Sequence, residues 1–357
     1  MAARISPSNL STIHFMKNIN VAVVGLGFMG VTHLKAYRKI PNVRIAALCD
    51  AVRLPVAGVL AAAGGNIGSD DSLTFDMTQV KATHNLDELL ADPAIDLIDI
   101  CVPTLAHPKL AIAALQAGKH VICEKPLART AAAAREIAAA AATAKGFFMP
   151  AMCIRFWPEY VWLKQAIEQQ TFGRVLAARF RRVSEPPAWG RDHFFDGAKS
   201  GGAILDLHIH DADFVQFCFG RPQAVFAQGF SLYSGAIDHV VAQYQVACGA
   251  AVSAEGGWVM GDGHGFEMAF TVIFENATVD YNCNRGAEAL RLFEKGQQAR
   301  TITLEPGDGY LAELSYMVKC IADGIAPAIV TGRDGASAVE ICEAEGESIT
   351  SGKLVTL

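Results

Sequence analysis

Three groups of residues have the types and spacing to do chemistry. The first is Gly25-Leu26-Gly27-Phe28-Met29-Gly30, between an apolar β-type run and a helix-type segment, with Asp50 closing the next apolar run. In a strand–turn–helix the first glycine permits the tight turn, the second lets the backbone approach a pyrophosphate and the third allows close packing. The helix N-terminus adds free N–H groups and a positive dipole. Gly25, Gly27, Phe28, Met29 and Gly30 therefore predict a dinucleotide-binding turn, and Asp50 its ribose contact. A carboxylate there accepts hydrogen bonds from both ribose hydroxyls and opposes a 2′-phosphate, which favours NAD. Arg53, three residues on, keeps NADP as the alternative; its other reading is a solvated residue of a first helical turn.

The second group is Glu124-Lys125-Pro126, which follows the run His120–Cys123. Lys125 thus emerges at the carboxyl edge of a parallel sheet, where open α/β folds bind ligands. Pro126 restricts Lys125 to extended geometry and permits a cis peptide. A solvated loop lysine is the competing reading. The third group lies in Ser200–Asp213, with Ser200 as the expected helix N-cap. At about 100° per residue Asp206, His210 and Asp213 share a helix face, while His208 is turned away. A zinc site needs three or four converging ligands, and the H-x-H spacing divides its two histidines, so no metal is expected.

The elements that must position these groups can be read from hydrophobic periodicity. Residues 19–24, 43–49, 95–102, 119–123 and 147–153 read as strands, alternating with helix-type segments at 28–40, 51–63, 86–91, 106–117 and 129–145. That alternation predicts a doubly wound Rossmann sheet over residues 17–150, with 64–85 as a surface loop. From 151 to 357 the pattern changes to a helix (157–170), a strand (174–183), a loop (184–199), the helix at 201–219 and five alternating strands between 223 and 281. This predicts an α+β second domain with a large open, mainly antiparallel sheet. Helix-type segments at 308–324 and 335–351 are placed to pack back on the first domain.

Composition bounds the rest. The chain has 357 residues, 52% apolar and 18% charged, with net charge −6, which gives no cationic field for nucleic acid or anionic lipid. No stretch approaches a membrane span, and residues 1–15 lack the apolar core of a signal peptide. Residues 1–16 read as a disordered extension, with Met16 as an alternative start. Nine cysteines without a C-x-x-C pair read as reduced thiols of a cytoplasmic protein. The apolar balance favours a homo-oligomer, dimer or tetramer, with a large monomer as the alternative.

Three blocks, GLGFMGVTHLKAY (25–37), CVPTLAHPKLAIAALQAGKHVICEKPLA (101–128) and GGAILDLHIHDADFVQFCFG (201–220), resemble the Gfo/Idh/MocA oxidoreductases in order and spacing. The resemblance runs over nearly the whole chain from about residue 17. It implies an N-terminal Rossmann domain, a C-terminal α/β domain whose open sheet serves subunit contact, and NAD(P)-dependent oxidation or reduction of sugars and polyols. By this resemblance Lys125 is the active-site lysine, Asp206 the helix aspartate and His210 the catalytic histidine. Thr104, His107, Glu124 and Lys125 itself join the cofactor contacts. Many members have glycine where this chain has His208.

Oxidising a secondary alcohol requires a base for the hydroxyl proton while a hydride leaves for nicotinamide. His210 is the expected base, Asp206 the group that orients it and stabilises its charged form, and Lys125 the donor to the reacting oxygen. Arg155 and Trp189 are candidate substrate contacts, Arg155 for a phosphate or carboxylate and Trp189 for a sugar ring. Both have domain-interface packing as their other reading. Two other functions share these residues: an enzyme that cleaves glycosides through transient oxidation with NAD held bound, and an NAD-binding regulator without turnover.

Overall fold

The computed structural model describes residues 18–62 and 71–357, so the expected extension at 1–16 and part of the 64–85 loop lie outside the described residues. Six parallel strands form the first sheet: β1 (Ile19–Val24), β2 (Val43–Cys49), β3 (Lys81–Thr83), β4 (Leu97–Ile100), β5 (His120–Glu124) and β6 (Phe148–Ala151). Their order, β3-β2-β1-β4-β5-β6, is that of a dinucleotide-binding Rossmann sheet. Val21, Ala22, Val23, Leu97, Ile98, Val121 and Ile122 are fully buried. Strands covered on both faces in this way read as unbroken apolar runs, which is why they were visible in the sequence. Helices α1 (Phe28–Tyr37), α2 (Asp87–Leu90), α3 (His107–Gln116) and α4 (Ala131–Thr143) connect them. Thr130 caps α4 by accepting from the Ala133 N–H.

One expected helix does not exist. Residues 51–62 form bends and a two-residue strand, Val59–Leu60, paired with Leu73–Thr74. Pro55 removes a helical donor and disfavours the helical region at Leu54, and Ala57 and Gly58 both have positive φ. The short edge strand β3 lies in what reads as loop, since Lys81-Ala82-Thr83 carries no apolar signature.

The second sheet has nine strands. They are β7 (Val175–Ser184), β8 (Ala224–Phe230), β9 (His239–Gln245), β10 (Ala251–Gly257), β11 (Phe266–Phe274), β12 (Ala277–Asn282), β13 (Leu290–Glu294), β14 (Arg300–Thr301) and β15 (Val355–Thr356). The order is β14-β13-β12-β11-β7-β10-β9-β8-β15. Only β7 and β10 run parallel. One face packs on α5 (Pro158–Glu168) and α6 (Ile209–Phe219); the other leaves Leu176, Val241, Ile273 and Phe293 exposed. The last three of these strands went unread because they are short or half polar.

The closing helices α7 (Gly309–Asp323) and α8 (Gly332–Ser351) pack on α1 and α4. Small residues allow the close approach of α8: a Cβ on Gly335 would sit 2.7 Å from Leu127 Cδ1. Thr331 and Asp334 form a reciprocal capping box at its start. All nine cysteines are unpaired. No helix among the described residues is long and apolar enough to cross a membrane.

Candidate active site

The turn after β1 shows what its glycines do. Gly25 has φ +93°, and a Cβ there would lie 2.5 Å from the Cys101 carbonyl oxygen; one on Gly30 would lie 1.9 Å from the Gly25 carbonyl. Gly27 differs: an added Cβ meets nothing within 4 Å, because it points into an open cleft. The cleft has a volume of about 710 Å³ and is bordered by Gly25, Gly27, Phe28, Met29, Asp50 and Val102. With the N-terminus of the ten-residue α1 beneath it, this surface fits the pyrophosphate of a dinucleotide. Gly27 has φ −73° and ψ −162°, which alanine adopts without strain. Gly27→Ala is therefore expected to leave the melting temperature unchanged while raising the Kd for NADH by about tenfold or more, read by calorimetric titration.

Asp50 is held at the end of β2 by backbone donors. Its Oδ2 accepts from Leu26 N–H at 2.7 Å and its Oδ1 from Val52 and Arg53 N–H, both at 2.8 Å. Burial works to raise its pKa, yet these three N–H groups and the Arg53 charge prevail and lower it, so Asp50 stays ionised. The Arg53 guanidinium is turned away and donates to the carbonyls of Ala61 and Ala62. Both bonds use Nη2, and the ionised Asp50 remains the feature that favours NAD over NADP. Two expected cofactor contacts are not brought to the cleft. Thr104 is buried in a 3₁₀ turn, and His107 has its ring nitrogens 2.9 Å from the Pro126 carbonyl and 2.8 Å from that of Val102.

A second cavity, about 150 Å³, shares Phe28, Met29, Trp189 and Phe194 with the cleft. Lys125, Asp206 and His210 all border it. The Lys125–Pro126 peptide is cis, and the Lys125 ammonium donates to the Asp206 carbonyl at 2.5 Å and to its Oδ1 at 3.2 Å. Asp206 was expected to hold the His210 ring; it holds Lys125 instead. The His210 Nδ1 is buried without a hydrogen-bond partner. Burial, then the cationic Lys125 and Arg182, depress the His210 pKa well below its ordinary value. The imidazole is thus a neutral base.

The reason for this arrangement is local. The expected helix at 201–219 begins with Gly201 and Gly202 at positive φ, then a π-helical turn, Ile204–His208, before α6 starts. Ser200 consequently ends a preceding single turn, Gly197–Ser200, and does not cap this helix. The wider turn breaks the regular 100° register. Asp206 and His210 face the cavity, whereas Asp213 is buried elsewhere. His208 points into the second domain, its Nε2 3.1 Å from Glu345 Oε2 and 3.2 Å from the Tyr244 hydroxyl. Gly256 makes room for it, since a Cβ there would come within 2.6 Å of the His208 Cβ.

Arg155 does not reach the cavity. It is 4% exposed, clasps Asp213 at 2.8 and 2.7 Å, donates to the Ile329 carbonyl and lies over the Phe217 ring. Arg155 therefore braces the packing around Asp213 and is not a substrate contact. Arg155→Met, which strands the Asp213 carboxylate, is expected to cost about 3–5 kcal/mol of stability, measured by urea unfolding. Trp189 does border both cavities, its ring 5.8 Å from that of Phe28 and 4.8 Å from that of Phe194.

Sequence reasoning missed the hub behind Lys125. His33 on α1 is fully buried, with Nδ1 2.8 Å from Asp99 and Nε2 3.2 Å from Glu124 and 4.0 Å from Glu313 of α7. Burial opposes its charge, but Asp99 and Cys101 outweigh it and raise the His33 pKa well above the usual value. Glu124 borders the second cavity beside this hub; its Oε2 accepts from the Lys125 N–H, while its Oε1, 3.2 Å from His33 Nε2, makes no hydrogen bond. A histidine three residues past Gly30, on the helix face that must be buried, was the available signal.

This fold and site define a class. Residues 19–152 match the family model described as an oxidoreductase family with an NAD-binding Rossmann fold, and residues 160–280 match the GFO/IDH/MocA C-terminal domain. The chain belongs to the Gfo/Idh/MocA oxidoreductases, and NAD is the cofactor its first domain is built to bind. It is 32% identical to levoglucosan dehydrogenase of Pseudarthrobacter phenanthrenivorans over 59% of this chain and 54% of that one. To myo-inositol 2-dehydrogenase of Thermotoga maritima it is 27% identical over 95% and 98%. The first two curated relatives are matched over only about half their length, 54% and 51%. A solved levoglucosan dehydrogenase in complex with NADH and L-sorbose superposes with a TM-score of 0.81 at 24% identity, covering 96% of this chain and 99% of that one. That likeness concerns the fold.

Proposed function

We propose that this chain is an NAD-dependent dehydrogenase that interconverts a secondary alcohol of a small sugar or polyol with the ketone. The observation that carries the reading is the convergence of Lys125 and His210 on a cavity that shares a wall with the cofactor cleft. NAD bound in that cleft supplies the acceptor for the hydride. As the carbinol carbon gives up a hydride with its two electrons, the hydroxyl proton passes to the neutral His210 imidazole. Lys125 donates a hydrogen bond to the same oxygen and stabilises its developing negative charge. Asp206 positions the Lys125 ammonium, and Trp189 closes the cavity over the ring. In the reductive direction each proton runs backwards.

Relatives that act on levoglucosan and myo-inositol support this substrate class. The exposed apolar positions of the open sheet, Leu176, Val241, Ile273 and Phe293, support assembly with further copies of the chain. Unpaired thiols fit a cytoplasmic setting. The test is incubation with NAD and a panel of cyclic sugars, polyols and glycosides. Net NADH formation is expected; bond cleavage without net NADH, or binding with neither, would replace the reading.

A further inference from the structure

We infer that Arg129 is a positioning residue for the coenzyme: its hydrogen bond to the Gly197 carbonyl clasps the 188–200 segment over the cleft and opens for NADH to leave. Arg129 belongs to the first domain, just before α4, and the segment belongs to the second. The segment is a wall of the coenzyme cleft, to which it contributes Trp189, Gly190, His193 and Phe194. Trp189 and Phe194, with Phe28 and Met29, also border the second cavity. Asp50 marks the adenosine end of the cleft, so this wall stands at the nicotinamide end.

The segment is braced internally and seated on its own domain. Ser200 Oγ donates to the Phe194 and Asp196 carbonyls at 3.1 and 3.2 Å, and Phe195 stacks on Tyr233. The Gly197 N–H donates to the Ser234 carbonyl at 2.8 Å. Across the domain boundary, Arg129 Nη2 donates to the Gly197 carbonyl at 2.9 Å. The guanidinium passes directly over Gly201, where an added Cβ would fall 1.6 Å from Nη1. Its Nε and Nη1 are buried without a hydrogen-bond partner. Arg155, which braces the fold, is bound quite differently, with two nitrogens on the Asp213 carboxylate. A buried donor without an acceptor costs free energy, and a neutral carbonyl holds a cation less firmly than a carboxylate does. The Arg129 bond therefore breaks far more readily than the Arg155 clasp. It joins the two domains beside the cleft, so its making and breaking act on the coenzyme that lies there.

The test uses Arg129→Met in the full chain. The Kd for NADH is expected to rise about tenfold, chiefly through faster dissociation, as the loss of one charge-assisted hydrogen bond implies. ADP, which carries the adenosine and pyrophosphate but no nicotinamide, should bind as it does to the parent. Arg129→Lys keeps a charged donor for the one carbonyl and should stay within about threefold of the parent for NADH. A methionine variant with parental affinity for NADH, or one that loses NADH and ADP equally, overturns the inference. Hydrogen exchange on the parent chain decides the matter even if Arg129→Met does not fold. NADH is expected to slow the amides of residues 188–200 by about tenfold or more relative to ADP; no added protection from NADH overturns the inference. None of these readouts needs a substrate, so the inference stands or falls apart from the dehydrogenase reading.

Discussion

Lys125→Met is expected to fold, to bind NADH as the parent does, and to lose about 10²–10³-fold in kcat. The side chain is nearly isosteric, and its removal deletes one donor aimed at the oxygen on which charge develops. Lys125 follows β5 directly and its backbone N–H is held by Glu124 Oε2, so the backbone has no reason to move. The loss falls on kcat more than on KM, because the interaction strengthens as the alkoxide forms. Lys125→Arg is expected to recover only part of the rate, since a planar fork does not reproduce a compact ammonium bonded to Asp206. Steady-state kinetics with NADH binding as control decides the matter; a variant with near-parental kcat removes Lys125 from the chemistry.

The second large effect concerns His210. His210→Asn is expected to lower kcat/KM for alcohol oxidation by about 10²–10⁴-fold, the usual contribution of a general base. The pH profile is the sharper readout. The base form is the neutral imidazole, and burial together with Lys125 and Arg182 depresses its pKa. Oxidation should thus hold its plateau below about pH 6.5, where a free imidazole is half protonated, and fall only further into acid. Stability follows the same linkage. Below about pH 6.5 the unfolded chain takes up the His210 proton that the folded one refuses, so this residue contributes a loss of stability as pH falls. In Lys125→Met one of the depressing cations is gone, and the residual activity should show its acid limb shifted upward. An unshifted limb would separate the two residues.

How much of this was legible beforehand depended on where the information sits. The glycine turn, Asp50 and the Glu124-Lys125-Pro126 edge follow from local rules, because turn geometry and sheet edges are set by a few neighbouring residues. The Rossmann strands were visible because burial on both faces leaves a continuous apolar run. Asp206 and His210 were found, but their relation was not: the π-helical turn reassigns Asp206 to Lys125, and a 100° periodicity has no means of anticipating a wider turn. Arg155 was misplaced for a different reason. Whether an arginine faces a ligand or a buried aspartate 58 positions away is a tertiary fact. The helix expected at 51–63 fails on Pro55 and Gly58, whose effects on the backbone outweigh the segment's helical periodicity. The His33 hub joins α1, β4, β5 and α7, and only the folded chain assembles it.

The anchoring of His208 by Glu345 and Tyr244 has a temporal side. As the chain is made, the turn bearing His208 leaves the ribosome long before α8 does, and until Glu345 arrives the His208 imidazole lacks its acidic partner. The setting of His210 thus waits on α8, which also packs on α4 of the first domain, so a nascent chain stalled ahead of α8 lacks both the finished reactive centre and part of the packing of its nucleotide domain.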